Sequence, residues 1–255
     1  MEILKTEQYI NEKLTIHPVT KEMLSKFREN LYVGENTRKF IEDNNLIWNP
    51  LSKSYDCEGD IIVPEDMVTD GKLKIRFGKV GGSFYCTHNK LTTFDGAPNE
   101  VDGSFNCSYN ELTTLEGAPK EVGKNFSCSY NNLTTLKGAP QEVGGDFFCS
   151  GNKLATLEGA PNKVGGDFYC GDNKLTSLKG APNEVGGGFA CYNNKLTSLE
   201  GAPQKIGGDF ACSSNELATL DGAPQKVGGD FSCSHNPNLV LPQRKPSWLK
   251  GRILS

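Results

Sequence analysis

Apolar and polar residues recur along this chain with a period far longer than that of a helix or a strand. Each unit of 21 residues carries a Phe, a Cys two residues later, an Asn three residues after the Cys, and then two Leu positions. A fixed period of this size is typical of a solenoid, in which each turn buries its apolar side against its neighbours. The eight copies open at Val80, Val101, Val122, Val143, Val164, Val185, Ile206 and Val227.

Within one unit, the alternation of Phe, a variable residue and Cys predicts a short strand. Phe and Cys then point inward and the residue between them points outward. The Gly pair before the strand permits a tight bend. The Asn side chain is expected to bond the turning backbone of its own and the next coil, so that the amides stack into a ladder. Gly-Ala-Pro turns the chain back, and its proline favours an extended return segment over a helix.

The run NxLTSLxGAPxxVGGDFxC resembles the short leucine-rich repeats of bacterial proteins. Gly-Ala-Pro stands for the first proline turn of that family, Phe for one core Leu, and Cys for a position often held by Val or Leu. The resemblance covers residues 80–241 and, more loosely, 60–79. It implies a mainly β, right-handed leucine-rich-repeat solenoid with a parallel β-sheet on its concave face and a small α/β N-terminal cap. Similar arrays are associated with tailed bacteriophages and some bacteria.

The pattern divides the chain into four segments. Residues 1–50 are polar with helical periodicity and are interpreted as an N-terminal cap or a docking element. Residues 51–79 contain short β-like runs and are interpreted as a degenerate first turn. Residues 80–236 hold the eight repeats, and residues 237–255 form a C-terminal cap with a basic tail. Solenoids need such caps because a terminal turn exposes strand edges and bare core.

Local signals refine the two ends. Thr20 is a candidate N-cap for a first helix, and Asn36 for a second short one. At the other end, Trp248, Leu249 and Ile253 are expected to cover the last core residues.

Charge is unevenly distributed, although the formal net charge is only −4. Residues 80–236 carry 11 basic and 17 acidic side chains, whereas residues 237–255 carry four basic side chains and no acid. An acidic groove repels phosphates, so the prediction is a protein partner with a basic or mixed surface and no nucleic acid. Neither a secretory signal nor a membrane span is indicated. We therefore expect a cytoplasmic protein, in the host cytoplasm if it is phage-encoded.

Of the nine cysteines, the eight that occupy one position of the repeat are predicted to be reduced and buried, because an apolar residue would serve equally well there. That spacing is unlike a disulfide framework, and it lacks the paired cysteines of a zinc site. We expect small buried hydrophobes, with no metal and no cofactor.

The outward positions of the strand face vary between copies, while the inward ones do not. Aromatic side chains at these positions are expected to form a stripe across the first six turns, with acidic side chains beside its later part. Exposed tyrosines are frequent interface anchors, although they are also good strand formers on an open sheet. The candidate partner-binding residues are Tyr85, Tyr109, Tyr130, Phe148, Tyr169, Tyr192, Asp146, Asp167, Asp172, Asp209 and Asp230.

No catalytic residues are predicted. The three histidines, His17, His88 and His235, are not spaced to pair with a nucleophile. The function predicted from the sequence is therefore non-enzymatic recognition of a partner protein through the concave strand face, in the setting of a phage protein that inhibits a bacterial host defence factor. The alternatives are a structural component that self-associates in a virion or other assembly and, remotely, an enzyme. The sequence leaves the partner and the oligomeric state open.

Overall fold

The computed structural model describes residues 34–255. The chain divides into two units, residues 1–42 and residues 43–255. The described part of the first unit contains most of helix α1, Glu35–Asp43, which buries Thr37 and Phe40. Since α1 begins at Glu35, Asn36 lies inside its first turn rather than at the N-cap. The helix predicted after Thr20 lies outside the described residues.

The second unit is a β solenoid built from two ten-stranded sheets, and the predicted repeat solenoid with parallel strands is confirmed. In each turn one strand joins each sheet, and equivalent strands of successive turns pair in parallel. The prediction of one sheet is therefore incomplete, because the solenoid has two. The return segment is extended, as its proline predicts, but its Glu-Val or Lys-Val pairs also stack into a second sheet.

The first sheet, called the Phe sheet, runs along the Phe positions of the repeat. Its strands in chain order are β3 Ile61–Ile62, β7 Phe84–Tyr85, β9 Phe105–Asn106, β11 Phe126–Ser127, β13 Phe147–Phe148, β15 Phe168–Tyr169, β17 Phe189–Ala190, β19 Phe210–Ala211, β21 Phe231–Ser232 and β22 Ile253–Leu254.

The second sheet, called the Val sheet, runs along the Val positions that open each copy. Its strands are β1 Ile47–Asn49, β2 Ser54–Cys57, β6 Phe77–Val80, β8 Glu100–Val101, β10 Glu121–Val122, β12 Glu142–Val143, β14 Lys163–Val164, β16 Glu184–Val185, β18 Lys205–Ile206 and β20 Lys226–Val227. A 3-10 helix, Glu65–Met67, and a two-stranded hairpin, β4 Val68–Thr69 with β5 Lys72–Leu73, lie between β3 and β6 along the chain.

The segment before the repeats is more β-like than its sequence suggests. β1 pairs with β2 in an antiparallel hairpin, so the predicted helical segment 1–50 ends in a strand. Ser54–Cys57 and Ile61–Ile62 then enter the two sheets in the place of one turn.

The core is a set of identical side chains stacked from turn to turn. Neighbouring Phe rings from Phe84 to Phe231 stack with centroids 5.1–5.7 Å apart, and these rings are at most 1% exposed. At the ends, Phe77 and Trp248 each close the column with an edge-to-face contact. Offset aromatic pairs contribute about 0.5–1.5 kcal/mol beyond their area. The column thus both fills the core and fixes the register of the turns.

The asparagines close each turn with a buried amide ladder, as predicted, but the ladder reaches backward rather than forward. Nδ2 of Asn131 donates to the carbonyls of Cys107 and Cys128 at 3.0 and 3.1 Å, and its Oδ1 accepts from the amide of Leu112 at 3.1 Å. One side chain thereby satisfies backbone groups of its own turn and of the preceding turn. The same bonds recur at Asn152, Asn173, Asn194, Asn215 and Asn236.

All nine cysteines are free and buried, as predicted for the eight in the repeats. Several thiols donate to the carbonyl of the following turn, as Cys107 does to Ser127 at 3.2 Å. Burial raises the pKa of the Cys107 and Cys149 thiols well above the ordinary value, because the thiolate would lose its hydration. These thiols therefore behave as small apolar side chains rather than as nucleophiles.

Candidate functional site

The six predicted aromatic residues lie on the outer side of the Phe sheet, but they form two rows instead of one stripe. Tyr85, Phe148 and Tyr169 belong to strands and are half-buried. Tyr109 and Tyr130 lie in the turn that follows each strand, and they are 47% and 49% exposed. Tyr192 directly follows Cys191 and is 36% exposed.

The turn row is extended by a residue that the sequence analysis did not select. His88 stacks on Tyr109 with ring centroids 4.4 Å apart, and Tyr109 stacks on Tyr130 at 4.6 Å, both at 11° between planes. We call these three residues the aromatic ledge. Because each ring covers the face of its neighbour, the ledge presents mainly ring edges and polar ring atoms to solvent. In the sequence, the ledge could be recognised because its three residues occupy the same repeat position, two residues after each Cys.

The backbone at this repeat position is in the left-handed region, where φ is 58° at Tyr109 and 54° at Tyr130. Gly, Asn, Asp and His tolerate that conformation, whereas a bulky residue is uncommon there and is held at a cost. The other copies carry tolerant or small residues there: His88, Gly151, Asp172, Asn193, Ser214 and His235. Tyr109 and Tyr130 are therefore the two copies in which a bulky residue takes this left-handed conformation.

Small residues make room for the rings at the end of the ledge. A Cβ atom on Gly151 would lie 2.6 Å from the Tyr130 ring, and a Cβ atom on Gly171 would lie 2.6 Å from the Tyr192 ring. Desolvation raises the pKa of Tyr192, and a hydrogen bond with Ser150 acts in the opposite direction. The Tyr192 ring therefore lies over Gly171 and points toward Ser150, in the turn whose Gly151 lies against the Tyr130 ring. It extends the aromatic surface beyond the ledge.

The strand row is shorter than predicted. Phe148 and Tyr169 stack at 5.1 Å, and the Tyr169 hydroxyl donates to Oδ2 of Asp167 at 2.9 Å. This hydrogen bond, followed by burial, raises the pKa of Tyr169. Asn106 and Ser127 separate Tyr85 from this pair. The structure thus brings Phe148 and Tyr169 together and leaves Tyr85 apart from them.

Four of the five predicted acidic residues have a structural role that the sequence analysis missed. Each precedes the Phe of its turn and accepts a hydrogen bond from a backbone amide one turn further on. Oδ1 of Asp146 accepts from Asp167 at 2.8 Å, and Oδ1 of Asp167 accepts from Gly188 at 2.6 Å. Asp209 and Asp230 likewise accept from the amides of Asp230 and Arg252, both at 2.8 Å. We call these four residues the aspartate file.

The Gly-Gly-Asp motif follows from this arrangement. A Cβ atom on Gly166 would lie 2.1 Å from Oδ1 of Asp146, so the carboxylate of one turn needs a glycine in the next. In the last repeat, Arg252 pairs with Asp230 at 2.9 Å and lowers the pKa of that carboxyl.

The fifth predicted acidic residue, Asp172, lies in the turn row, where its Oδ1 accepts from the side-chain amide of Asn193. Basic residues that the sequence analysis did not select lie two positions further along the chain. Lys153, Lys174 and Lys195 are exposed on three successive turns, directly after the asparagines of the amide ladder. Glu111 and Glu216 occupy the same repeat position in other copies, so the charge beyond the turn row is mixed, with three adjacent ammonium groups in its middle.

Two other kinds of site are absent from the described part of the chain. Residues 34–255 contain no group of three or more His, Cys, Asp or Glu side chains placed to hold a metal ion. Within the same range, no helix is long and apolar enough to cross a membrane.

Comparisons with known proteins give little beyond this geometry. No family model matches the chain, and no curated protein matches it. Among solved structures, the chain is similar to YopM from Yersinia enterocolitica WA-314, with 16% identity and a TM-score of 0.43 over 78% of this chain. The match spans 58% of YopM. A likeness of this size assigns neither a family nor an activity.

Proposed function

We propose that the protein is a non-enzymatic recognition module that binds a partner protein through the aromatic ledge and the adjoining outer side of the Phe sheet. The observation that carries this proposal is the placement of Tyr109 and Tyr130. They are half-exposed large side chains in a left-handed backbone conformation that smaller residues occupy in other copies. Strained residues that a fold does not require are often found at functional sites.

The chemistry of the ledge favours a protein over a sugar or a nucleic acid. Sugars and bases bind by stacking on free ring faces, but the facing sides of His88, Tyr109 and Tyr130 already cover one another. Ring edges and hydroxyls remain for contact, and tyrosine offers large contact area with little side-chain entropy to lose. The carboxylates of the aspartate file also repel phosphates.

The proposed partner surface has mixed charge. The aspartate file lies before the strands of the surface, and Lys153, Lys174 and Lys195, with Glu111 and Glu216 at the same repeat position, follow its turns. Complementary charges at such positions mainly steer association and fix orientation, whereas the central aromatic side chains contribute most of the affinity.

The biological setting is a separate part of the proposal. The resemblance of the VGGDF-C-NxLTSLxGAP unit to bacteriophage arrays supports a bacterial host protein as the partner, with inhibition through occupation of its surface.

The test is affinity capture of the full chain from a bacterial lysate with quantitative mass spectrometry, followed by binding measurements on the purified pair. The Tyr109→Asn/Tyr130→Asn variant should weaken binding at least about tenfold, because truncation of an aromatic hot spot typically costs more than 1 kcal/mol. The matched control is Glu116→Gln/Lys137→Gln, which changes exposed residues of the same two turns, seven positions after each tyrosine and outside the ledge. Equal binding by both variants and the native protein would refute the proposed surface.

A further inference from the structure

The outer side of the Val sheet carries one file of charged side chains. In each two-residue strand the Val or Ile is buried, so the residue before it points outward. We call this set the charged file, and its members in order are Lys79, Glu100, Glu121, Glu142, Lys163, Glu184, Lys205 and Lys226.

Glycines make the surface beside the charged file a shallow trough. The two residues after each Val are mostly glycines, and backbone contact requires this. For example, a Cβ atom on Gly165 would lie 2.2 Å from the carbonyl oxygen of Gly144. Two grooves of about 580 Å³ each lie along this surface. Glu100, Glu121 and Glu142 line the first, and Lys163, Lys205 and Lys226 line the second together with Glu184.

After Lys79, the charged file is therefore acidic from Glu100 to Glu142 and mainly basic from Lys163 to Lys226, with Glu184 as the exception. Within the described residues, Lys79 pairs with Glu100 and also with Asp102 at 3.2 Å, and Lys205 pairs with Glu184. Glu121, Glu142, Lys163 and Lys226 form no ion pair within residues 34–255. Adjacent like charges such as Glu121 and Glu142 repel each other weakly in the isolated chain, and an oppositely charged partner would relieve that repulsion.

We propose that this face binds a second copy of the chain, with the two solenoids antiparallel. The two-fold axis would run parallel to the strands, between the turns of Lys163 and Glu184. Each member of the file then faces a member of opposite sign: Glu121 faces Lys226, Glu142 faces Lys205, and Lys163 faces Glu184. Because an isologous interface uses the same patch twice, every such pair occurs twice.

A charge outside the file fits the same axis. Asp102 and Lys250 each directly follow the inward-facing residue of their turn. Their backbone amides show this equivalence, since the amide of Asp102 donates to the carbonyl of Val80 and the amide of Lys250 donates to the carbonyl of Val227. The proposed axis places these two residues opposite each other. It leaves Glu100 opposite the turn of Trp248, whose ring packs on Phe231, so no like-charged pair arises. An axis along the solenoid would instead place each residue opposite its own copy, with like charges in contact.

The size of the outer face of the Val sheet determines how stable the proposed dimer should be. Eight strands at about 4.8 Å spacing give a length of roughly 35 Å, and a strip this long buries on the order of 1,000 Å² across both copies. This is the low end for specific interfaces, and the exposed ion pairs that would hold it are individually weak and screened by salt. The dimer should therefore be concentration-dependent and should dissociate as ionic strength rises.

The test is sedimentation equilibrium of the full chain at low and high salt. At low salt the mass should rise with concentration from 27.7 kDa toward twice that value, and high salt should reverse the rise. The variants Glu121→Lys/Glu142→Lys and Lys205→Glu/Lys226→Glu should each remain monomeric, because each now opposes like charges across the axis. Their equimolar mixture should recover the dimer, since every facing pair is again opposite in sign.

The control variant Glu158→Lys/Glu200→Lys carries the same charge change as the first variant, at exposed positions outside the charged file. It should dimerise as the native chain does, and circular dichroism checks that all variants are folded. A native chain that is monomeric at every concentration, a dimer indifferent to the file variants, or a mixture that stays monomeric would each overturn the proposal. None of these outcomes depends on the aromatic ledge.

Discussion

The interior and the outer side of the Phe sheet are built from the same strands, yet they follow opposite rules. Inside, Phe, Cys and Asn repeat without exception in the eight copies, because each must stack on its own equivalent one turn away. Outside, the residue between Phe and Cys ranges from Ala to Tyr. Repetition in a solenoid therefore marks the contacts between turns, and variation marks the surface that is free to acquire specificity.

The sharpest way to test this contrast is to change two neighbouring residues that face opposite sides. Phe147→Ala removes one ring from the buried column and should cost about 3–5 kcal/mol of unfolding free energy through lost burial and a cavity. Phe148→Ser changes the next residue on the outer side, where Ser127 and Ser232 already serve, and should cost less than about 1 kcal/mol. Urea unfolding followed by circular dichroism measures both, and similar losses would contradict the contrast.

A second adjacent pair tests the amide ladder. Asn131→Ala leaves the amide of Leu112 without its acceptor and removes one of the two asparagine donors from each of the Cys107 and Cys128 carbonyls, and it should cost about 2–3 kcal/mol. Asn132→Ala makes the same chemical change one residue later, at a half-buried side chain outside the ladder, and should stay within about 0.5 kcal/mol of the native chain. Thermal unfolding distinguishes them, and an equal shift in the two midpoints would show that the ladder contributes nothing special.

The aspartate file is an exception to this contrast between interior and outer side. Its members lie on the outer side, yet each accepts a hydrogen bond from the next turn. Asp146→Ala should destabilise by about 1 kcal/mol through the lost acceptor for the amide of Asp167. Asp146→Asn keeps an acceptor oxygen, as Asn125 does for the amide of Asp146 at 2.9 Å, and should be nearly neutral. Chemical denaturation of both variants separates the hydrogen bond from the charge. Equal destabilisation would mean that the charge, and not the bond, matters.

The smallest expected effect lies at the aromatic ledge. In Tyr109→Asn/Tyr130→Asn, relief of left-handed backbone strain should offset the lost ring stacking, leaving stability within about 0.5 kcal/mol of the native value. Asn193 already occupies the equivalent position with a φ of 53°. Differential scanning calorimetry can resolve this, and a large loss would show that the tyrosines serve the fold.

Much of this architecture could be predicted because the repeat is strict. The Phe and Cys positions alternate with period two, and the Asn at a fixed distance requires a backbone partner, so the core and the amide ladder could be inferred from residue type. The Val sheet was not predicted, since a two-residue segment such as Glu142–Val143 has no periodicity of its own. It becomes a sheet only by pairing with the equivalent segments of other turns.

The candidate site was harder to predict for a similar reason. Strand alternation places Tyr169 outside, but it says nothing about the turn where Tyr109 lies. The left-handed conformation there had a signal in the sequence, because Gly151, Asp172 and Asn193 occupy the same position and favour it. The aspartate file had one too, in the Asp that follows Gly-Gly. Both signals are read by comparing one position across copies rather than along the chain.

The asparagine bonds described above also bear on how such a chain can change over generations. Apart from its own coil, each amide bonds only the coil immediately before it. A duplicated or deleted 21-residue unit therefore leaves every remaining amide with a complete receptor. Unequal recombination within the gene can lengthen or shorten the array by whole coils, and the binding surface can gain or lose reach without any redesign of the interior.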